Sequence, residues 1–139
     1  RASGRAFRAL HSALAKRLAA GRLTVVDATN VQSRARGELL RVAALARVPA
    51  VAIVLDLTLD ECLAGDRARP DRHVDPAVIH RQWDALRPVL ADPDPACPAL
   101  LIEGFTAAHR LDGRGGVDRA RVRRLPASSR TIGGVVEPA

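Results

Sequence analysis

The chain has 139 residues, the length of one modest domain, and 47% of them are hydrophobic while 27% are charged. This balance is typical of a globular protein, and the absence of any uncharged apolar run of 18 residues excludes a transmembrane helix. Basic residues outnumber acidic ones by 22 to 15, so the net charge of +7 favours phosphate-rich partners. Two cysteines cannot form a disulfide framework, so we expect a reducing, cytoplasmic location and no membrane contact.

In the first half of the chain, helices and strands alternate. The predicted elements are a helix over 6–18, a strand over 23–27, a helix over 34–46 and a strand over 50–55. Gly21 stands where a helix C-cap glycine belongs, Ser33 can cap the second helix, and Pro49 forbids its continuation. The apolar run over 50–55 predicts a strand buried on both faces, as in the centre of a parallel sheet.

The second half continues the alternation. Its predicted elements are a helix over 58–68, a helix from Pro76 to about Pro88, a strand over 99–104, a turn over 113–116 and a weaker strand over 117–125. Thr58 and Glu61 fit a capping box, and Asp75 precedes a proline at the first helical position. This order predicts a three-layer α/β fold with a mostly parallel sheet, in a domain over residues 1–126 with a tail over 127–139.

In such sheets, ligands bind at the carboxyl ends of the strands, which here are residues 27–30, residues 56–58 and the loop after Gly104. At the first of these places, Asp27 can hold Mg²⁺ through water, while Thr29 and Asn30 can reach a phosphate or a sugar. The alternative is that these three side chains only satisfy the amides of a turn.

A second candidate site is the proline-broken segment over residues 66–75, named the lid here. It contains Arg67, Arg69 and Arg72, whose planar guanidinium groups match phosphate oxygens, so a lid closing over a triphosphate is one interpretation. The alternative is a solvated turn held by arginine–aspartate pairs, which contribute about 0–1 kcal/mol each at a surface.

Several of these segments, taken together, resemble the kinase module of bacterial polynucleotide kinase-phosphatases, a branch of the P-loop kinases. The similar stretches are Asp27-Ala28-Thr29-Asn30, the strand within 48–57, Arg69-Pro70-Asp71-Arg72-His73-Val74 and Val78-Ile79-His80-Arg81-Gln82. The resemblance extends over residues 6–126. Their combination in this order is more specific than the D-A-T-N stretch alone.

The resemblance implies transfer of the γ-phosphate of ATP, with Mg²⁺, to a 5′-hydroxyl end of RNA or DNA. Arg69 and Arg72 would be phosphate-binding arginines of the lid, with Arg67 beside them as a further catalytic group. Asp27, Thr29 and Asn30 would bind the nucleotide at the floor of the site, and Asp27 would hold the metal through water.

The same resemblance implies that parts of the module lie outside this sequence. The phosphate loop G-x-x-x-x-G-K-[ST] and the acceptor-activating aspartate would precede Arg1, and phosphatase and ligase domains would follow the tail. Gly65 stands where relatives commonly carry a further lid arginine. We therefore expect a fold that is incomplete at its N-terminus, with an open sheet edge and negligible turnover. Two alternatives are a P-loop kinase for a small substrate and a non-catalytic basic module that binds nucleic acid or a partner.

Overall fold

A computed structural model describes residues 4–121 of the chain. Its elements are α1 Gly4–Ala19, α2 Ser33–Leu45, β1 Val51–Asp56, α3 Leu59–Arg67, α4 Pro76–Leu86, a 3₁₀ helix Arg87–Leu90, α5 Pro98–Glu103, β2 Ala107–Asp112 and α6 Gly113–Arg119. Among these residues, no helix combines the length and the apolar character needed to cross a bilayer.

The two strands form a parallel pair, as the alternating pattern predicts. Their register runs from Val51 opposite Ala107 to Asp56 opposite Asp112. Between them the chain passes through α3, α4, the 3₁₀ helix and α5, the long crossover that a parallel pair requires. The predicted α/β class with parallel strands is confirmed, whereas the third layer stays a prediction.

One face of this sheet packs on the hydrophobic core. Val54 and Ala108 are buried there, and they share a cluster with Val89, Leu90, Cys97 and Leu100. The side chains of β1 that point the other way remain exposed, at 53% for Val51, 66% for Ile53 and 50% for Leu55. The prediction that β1 is buried on both faces is therefore wrong.

The helix starts that depend on local capping are where the sequence predicts them. Thr58 Oγ1 accepts a hydrogen bond from the Glu61 amide, and the Glu61 carboxylate accepts one from the Thr58 amide. Asp75 caps α4 by accepting from the Ala77 amide at 2.8 Å. Ser33 is the exception, because α2 begins at this residue and the cap position belongs to Gln32, whose side chain makes no capping bond.

The predicted strand over residues 23–27 does not form in the structure. Leu23 is 92% exposed and Val25 is 84% exposed, and the described sheet consists of β1 and β2 alone. β-Branched composition favours a strand only where a neighbouring strand can accept and donate hydrogen bonds.

The last elements also differ from the prediction. Residues 98–103 form α5, with Pro98 in its first turn and Gly104 ending it at a φ of +113°. A short apolar run does not by itself distinguish a strand from a buried helix, but this pairing of proline and glycine is typical of a helix. The predicted turn over 113–116 opens α6 instead, and β2 was not predicted. Residues 117–119 lie in α6, while residues 122–125 of the predicted last strand lie outside the described range.

Candidate functional site

Both strands end on an aspartate, and these two residues anchor a network of charges at the carboxyl end of the sheet. Asp56 accepts a hydrogen bond from Arg87 Nη2 at 2.8 Å, and its second oxygen lies 2.6 Å from Arg110 Nη2. Arg110 also places Nε 2.8 Å from Asp112 Oδ1. Burial alone would lower the pKa of Arg110, but its bond to Asp56 and the charge of Asp112 raise that pKa, so the guanidinium stays charged.

Trp83 fixes the C-terminal end of α4 to this network. Its Nε1 donates to the carbonyl of Leu57 at 3.0 Å, and the guanidinium carbon of Arg87 lies 4.2 Å from the centre of its ring. The contact is close enough for a cation–π interaction. Trp83 is half-buried, and it ties α4 to the junction of β1 and α3.

Glu61 joins the starts of two helices at the same end of the sheet. Besides capping α3, its carboxylate accepts a hydrogen bond from the Arg114 amide in the first turn of α6 at 3.0 Å. Hydrogen bonds from the amides of Thr58 and Arg114 hold the pKa of Glu61 below its usual range. The carboxylate is therefore ionised while it holds the two helices together.

Helices α3 and α4 form a hairpin whose tip is the lid. Helix α3 begins at Leu59, directly after β1, and α4 returns to the carbonyl of Leu57 through Trp83. The two helices pack against each other, and neither contributes a fully buried residue. The nine residues of α3 rise about 13 Å, so the lid lies roughly that far from the strand ends.

Asp66 closes the lid into a loop through backbone contacts. Both of its carboxylate oxygens accept from the Val74 amide, at 3.0 and 3.1 Å. Its carbonyl oxygen accepts from the Arg69 amide at 3.1 Å and lies 3.2 Å from Nδ1 of His73. Both ends of the segment between Arg67 and His73 are thus held by one residue.

The three lid arginines extend into solvent. Arg67, Arg69 and Arg72 are exposed, and within residues 4–121 their side chains make no hydrogen bond and no ion pair. The arginine–aspartate pairs of the alternative interpretation are therefore absent from residues 4–121, although the segment is a solvated turn between two helices. The carboxylate of Asp66 accepts from a backbone amide instead, and this leaves the guanidinium groups free for another anion.

A buried arginine contacts the backbone at the end of the segment that contains Asp27, Thr29 and Asn30. The carbonyls of Asn30 and Val31 each accept a hydrogen bond from Arg36 Nη1 at 2.9 Å. Asn30 has a positive φ of 43°, a conformation that asparagine tolerates better than most residues. The side chains of Asp27 and Thr29 are exposed and make no hydrogen bond in the described part of the chain.

Arg36 connects that segment to α5. Its Nε donates to Glu103 Oε2 at 2.7 Å and its Nη2 donates to Glu103 Oε1 at 2.5 Å, while the residue as a whole is 6% exposed. A pocket of about 280 Å³ adjoins this pair, and its wall includes Val31, Gln32 and Ser33. The predicted nucleotide-binding segment thus contacts Arg36 of α2, which in turn pairs with Glu103 of α5, and a polar pocket opens next to it.

The two predicted site segments are held by different parts of the fold. The lid contacts α3 and α4, whereas the Asp27 segment contacts α2 and α5 through Arg36. No hydrogen bond or ion pair among residues 4–121 joins Asp27 to Arg69, so their common cleft stays a prediction. The same residues contain no group of three side chains that could hold a metal directly.

Sequence reasoning missed most of the network at the strand ends. The sequence predicts a binding place at the carboxyl end of β1 through Asp56, but it does not indicate Arg87, Arg110 or Asp112. One pattern points to the pair of aspartates, because Leu55-Asp56 and Leu111-Asp112 are the same dipeptide at the ends of two strands. The sequence alone does not indicate the two arginines, because they reach the aspartates only after the crossover brings the chain back to the same sheet.

A comparison with protein families agrees with this architecture. The family model described as AAA domain matches residues 1–93, a range that contains the Asp27 segment, β1, the lid and α4. No curated protein matches the sequence. Proteins of this P-loop type generally bind a nucleotide and Mg²⁺. Since the match extends over more than half of the sequence, the chain belongs to the AAA domain family of P-loop NTPase-like kinases.

Proposed function

We propose that this chain is part of an ATP-dependent polynucleotide 5′-hydroxyl kinase. In this proposal Arg67, Arg69 and Arg72 bind the phosphates of ATP, and Asp27, Thr29 and Asn30 bind the nucleotide, with Asp27 holding Mg²⁺ through water. The acceptor is the 5′-hydroxyl end of RNA or DNA. Membership of a P-loop kinase family supports the phosphoryl transfer, and the sequence resemblance supports the choice of acceptor.

The proposal rests chiefly on the uncompensated charge of the lid. Three guanidinium groups lie within six residues, and none pairs with a carboxylate in the described chain. Each guanidinium offers five N–H donors in a fixed plane, a geometry that suits the oxygens of a phosphate group. Phosphoryl transfer depends mainly on positioning and on stabilising charge at the transferring group.

The attachment of the hairpin suits a lid that moves. Its base is fixed where Trp83 donates to Leu57 and Arg87 pairs with Asp56, both at the carboxyl end of β1. Its two helices bury no residue fully, so a change in their angle would break few core contacts. Closure of such a hairpin would bring the lid arginines towards a ligand at the strand ends, the usual binding place in this class of fold.

The test is transfer of the γ-phosphate from labelled ATP to an oligonucleotide with a 5′-hydroxyl end, by the protein that the complete reading frame containing this chain encodes. An oligonucleotide with a 5′-phosphate is the blocked control acceptor. We expect Arg69→Ala to lower kcat/KM for ATP by about ten- to a hundredfold, the effect of losing a charge-assisted hydrogen bond to phosphate. Arg8→Ala removes another exposed charge, from α1, and we expect a change of less than about twofold.

Three outcomes would contradict the proposal, each in a different way. Phosphorylation of small hydroxyl compounds but not of oligonucleotides would identify a small-substrate kinase. Oligonucleotide binding with a steep salt dependence, but without any effect of ATP or Mg²⁺, would indicate a non-catalytic basic module. Equal activity of Arg69→Ala and Arg8→Ala, in a protein that does phosphorylate 5′-ends, would show that the lid has no part in the reaction.

A further inference from the structure

Asp66 is the one acidic residue of the lid whose side chain accepts from a backbone amide of the lid itself, whereas Asp75 accepts from Ala77 in α4. The carboxylate of Asp66 accepts from the Val74 amide, and its carbonyl accepts from the Arg69 amide. The side chain is 12% exposed, so it is largely withdrawn from solvent although the arginines around it are not. A carboxylate that is bonded to a backbone amide fixes the shape of the loop and does not pair with the positive charges of the neighbouring arginines.

From this arrangement we infer that Asp66 is a positioning residue of the lid. By closing the segment over residues 67–73, it holds Arg69 and Arg72 in one loop, beside Arg67 at the end of α3, that is ready to receive a polyphosphate. The inference rests on the proposed function, since it assigns to Asp66 the ordering of arginines that the proposal uses. Without the closure the segment would be an open connector, and binding a phosphate would have to restrict its backbone at a cost in entropy.

His73 contributes to the same closure from the other end of the loop. Its Nδ1 lies 3.2 Å from the Asp66 carbonyl and 3.7 Å from Asp66 Oδ2, although 64% of its side chain is exposed. The bonds to the Val74 amide are shorter and are more completely withdrawn from solvent. The hydrogen bond from the Val74 amide to the Asp66 carboxylate is therefore the main contact that closes the lid, and His73 adds a weaker contact.

Charge and geometry make opposite predictions for the substitution Asp66→Ala. Removing a negative charge next to three arginines would by itself strengthen the binding of an anion. Losing the hydrogen bond between Val74 and Asp66 would weaken the binding of an anion, because the arginines would no longer be held together. A loss of affinity in Asp66→Ala can therefore come only from geometry.

Two further variants separate the effects. Asp66→Asn removes the charge but keeps an oxygen that can accept from the Val74 amide. Asp71→Ala removes a charge from the same loop at an exposed residue whose side chain makes no hydrogen bond within residues 4–121. We expect both variants to bind a polyphosphate at least as tightly as the wild type, whereas Asp66→Ala binds about three- to tenfold more weakly.

The experiment measures binding of inorganic tripolyphosphate, with Mg²⁺ present, to the 139-residue chain and its three variants by calorimetry. Hydrogen exchange at the Val74 amide, followed by NMR, reports the closure itself: slow in the wild type and in Asp66→Asn, fast in Asp66→Ala. This measurement also separates an opened lid from an unfolded protein, in which amides of α2 and β1 would lose protection as well.

The outcomes distinguish this inference from the function on which it depends. If the wild type binds tripolyphosphate and Asp66→Ala binds equally well or more tightly, the positioning role is refuted while the proposed function stands. If Asp66→Asn loses as much affinity as Asp66→Ala while its Val74 amide still exchanges slowly, closure of the lid does not account for the loss, and the inference is also wrong. If the wild type binds no tripolyphosphate at all, both the positioning role and the proposed phosphate-binding lid are overturned.

Discussion

Replacing Arg36 by alanine should destabilise the whole described fold, because this side chain joins three segments of the chain. It donates two hydrogen bonds to Glu103 on α5 and one to each carbonyl of Asn30 and Val31. The residue is 6% exposed, so water cannot replace these contacts. Its loss would leave the Glu103 carboxylate without a partner and two carbonyls without donors.

The expected cost follows from the burial of the two partners. Breaking a buried ion pair by removing one side costs about 3–5 kcal/mol. The side chain of Glu103 is 25% exposed and can regain part of its hydration, which places the estimate at the lower end, about 3 kcal/mol. Arg36→Lys keeps the charge but loses the planar fork, so we expect an intermediate loss.

Arg34 is the matched control for this experiment. It lies on the same helix and pairs with Glu38 at 3.8 Å, but its side chain is 93% exposed, so Arg34→Ala should cost less than about 0.5 kcal/mol. Urea unfolding of the wild type and the variants gives the free energies of unfolding, and the single variant Glu103→Ala together with the double variant Arg36→Ala/Glu103→Ala gives the coupling between the two residues. Equal stability of Arg36→Ala and Arg34→Ala, or a coupling near zero, would refute the reasoning.

Two further predictions concern ionisable groups. Because the pKa of Glu61 is lowered in the folded state from its ordinary value of 4.5, its contribution to stability is complete above that pH and is lost as the pH falls through the lower folded pKa. The difference in unfolding free energy between the wild type and Glu61→Gln should therefore shrink below about pH 4.5. A difference that is constant from about pH 6 to 3 would contradict this contribution of the ionised Glu61 carboxylate. Burial raises the pKa of both Cys62 and Cys97, and Cys97 is fully buried. A thiol reagent at pH 8 should modify Cys62 slowly and Cys97 only on unfolding, so fast modification of Cys97 in the native protein would show that its surroundings open readily.

The parts of the fold that were predicted correctly depend on neighbours in the sequence. The capping box of Thr58 and Glu61 and the cap of Asp75 involve residues two or three positions apart, so their chemistry is visible in the sequence. The wrong assignments depend on distant partners. Residues 23–27 have the composition of a strand but no strand beside them, and residues 98–103 form a helix in which Leu100 is buried against the sheet.

The candidate site divides in the same way. The segment over 66–75 is a candidate from the sequence alone because its arginines and its proline lie together, and its action as a lid stays a prediction. The contact of Asp66 could not be predicted, since an aspartate among arginines is most simply expected to pair with one of them, and its actual partner is the amide of Val74. The network of Asp56, Arg87 and Arg110 depends on residues 31 and 54 positions apart, whose meeting is decided by the strand pairing.

Six of the described arginines fall into two groups that should behave differently on substitution. Arg36, Arg87 and Arg110 each place a guanidinium nitrogen within 3 Å of a carboxylate oxygen, at 2.5, 2.8 and 2.6 Å. The lid arginines are exposed, and in residues 4–121 no carboxylate lies within pairing distance of them. A guanidinium whose charge is already matched stabilises the fold but has little left to offer a ligand. One whose charge is unmatched contributes little to stability and keeps its donors available. Substitutions in the first group should therefore change the free energy of unfolding, whereas substitutions in the lid should change phosphate affinity at constant stability.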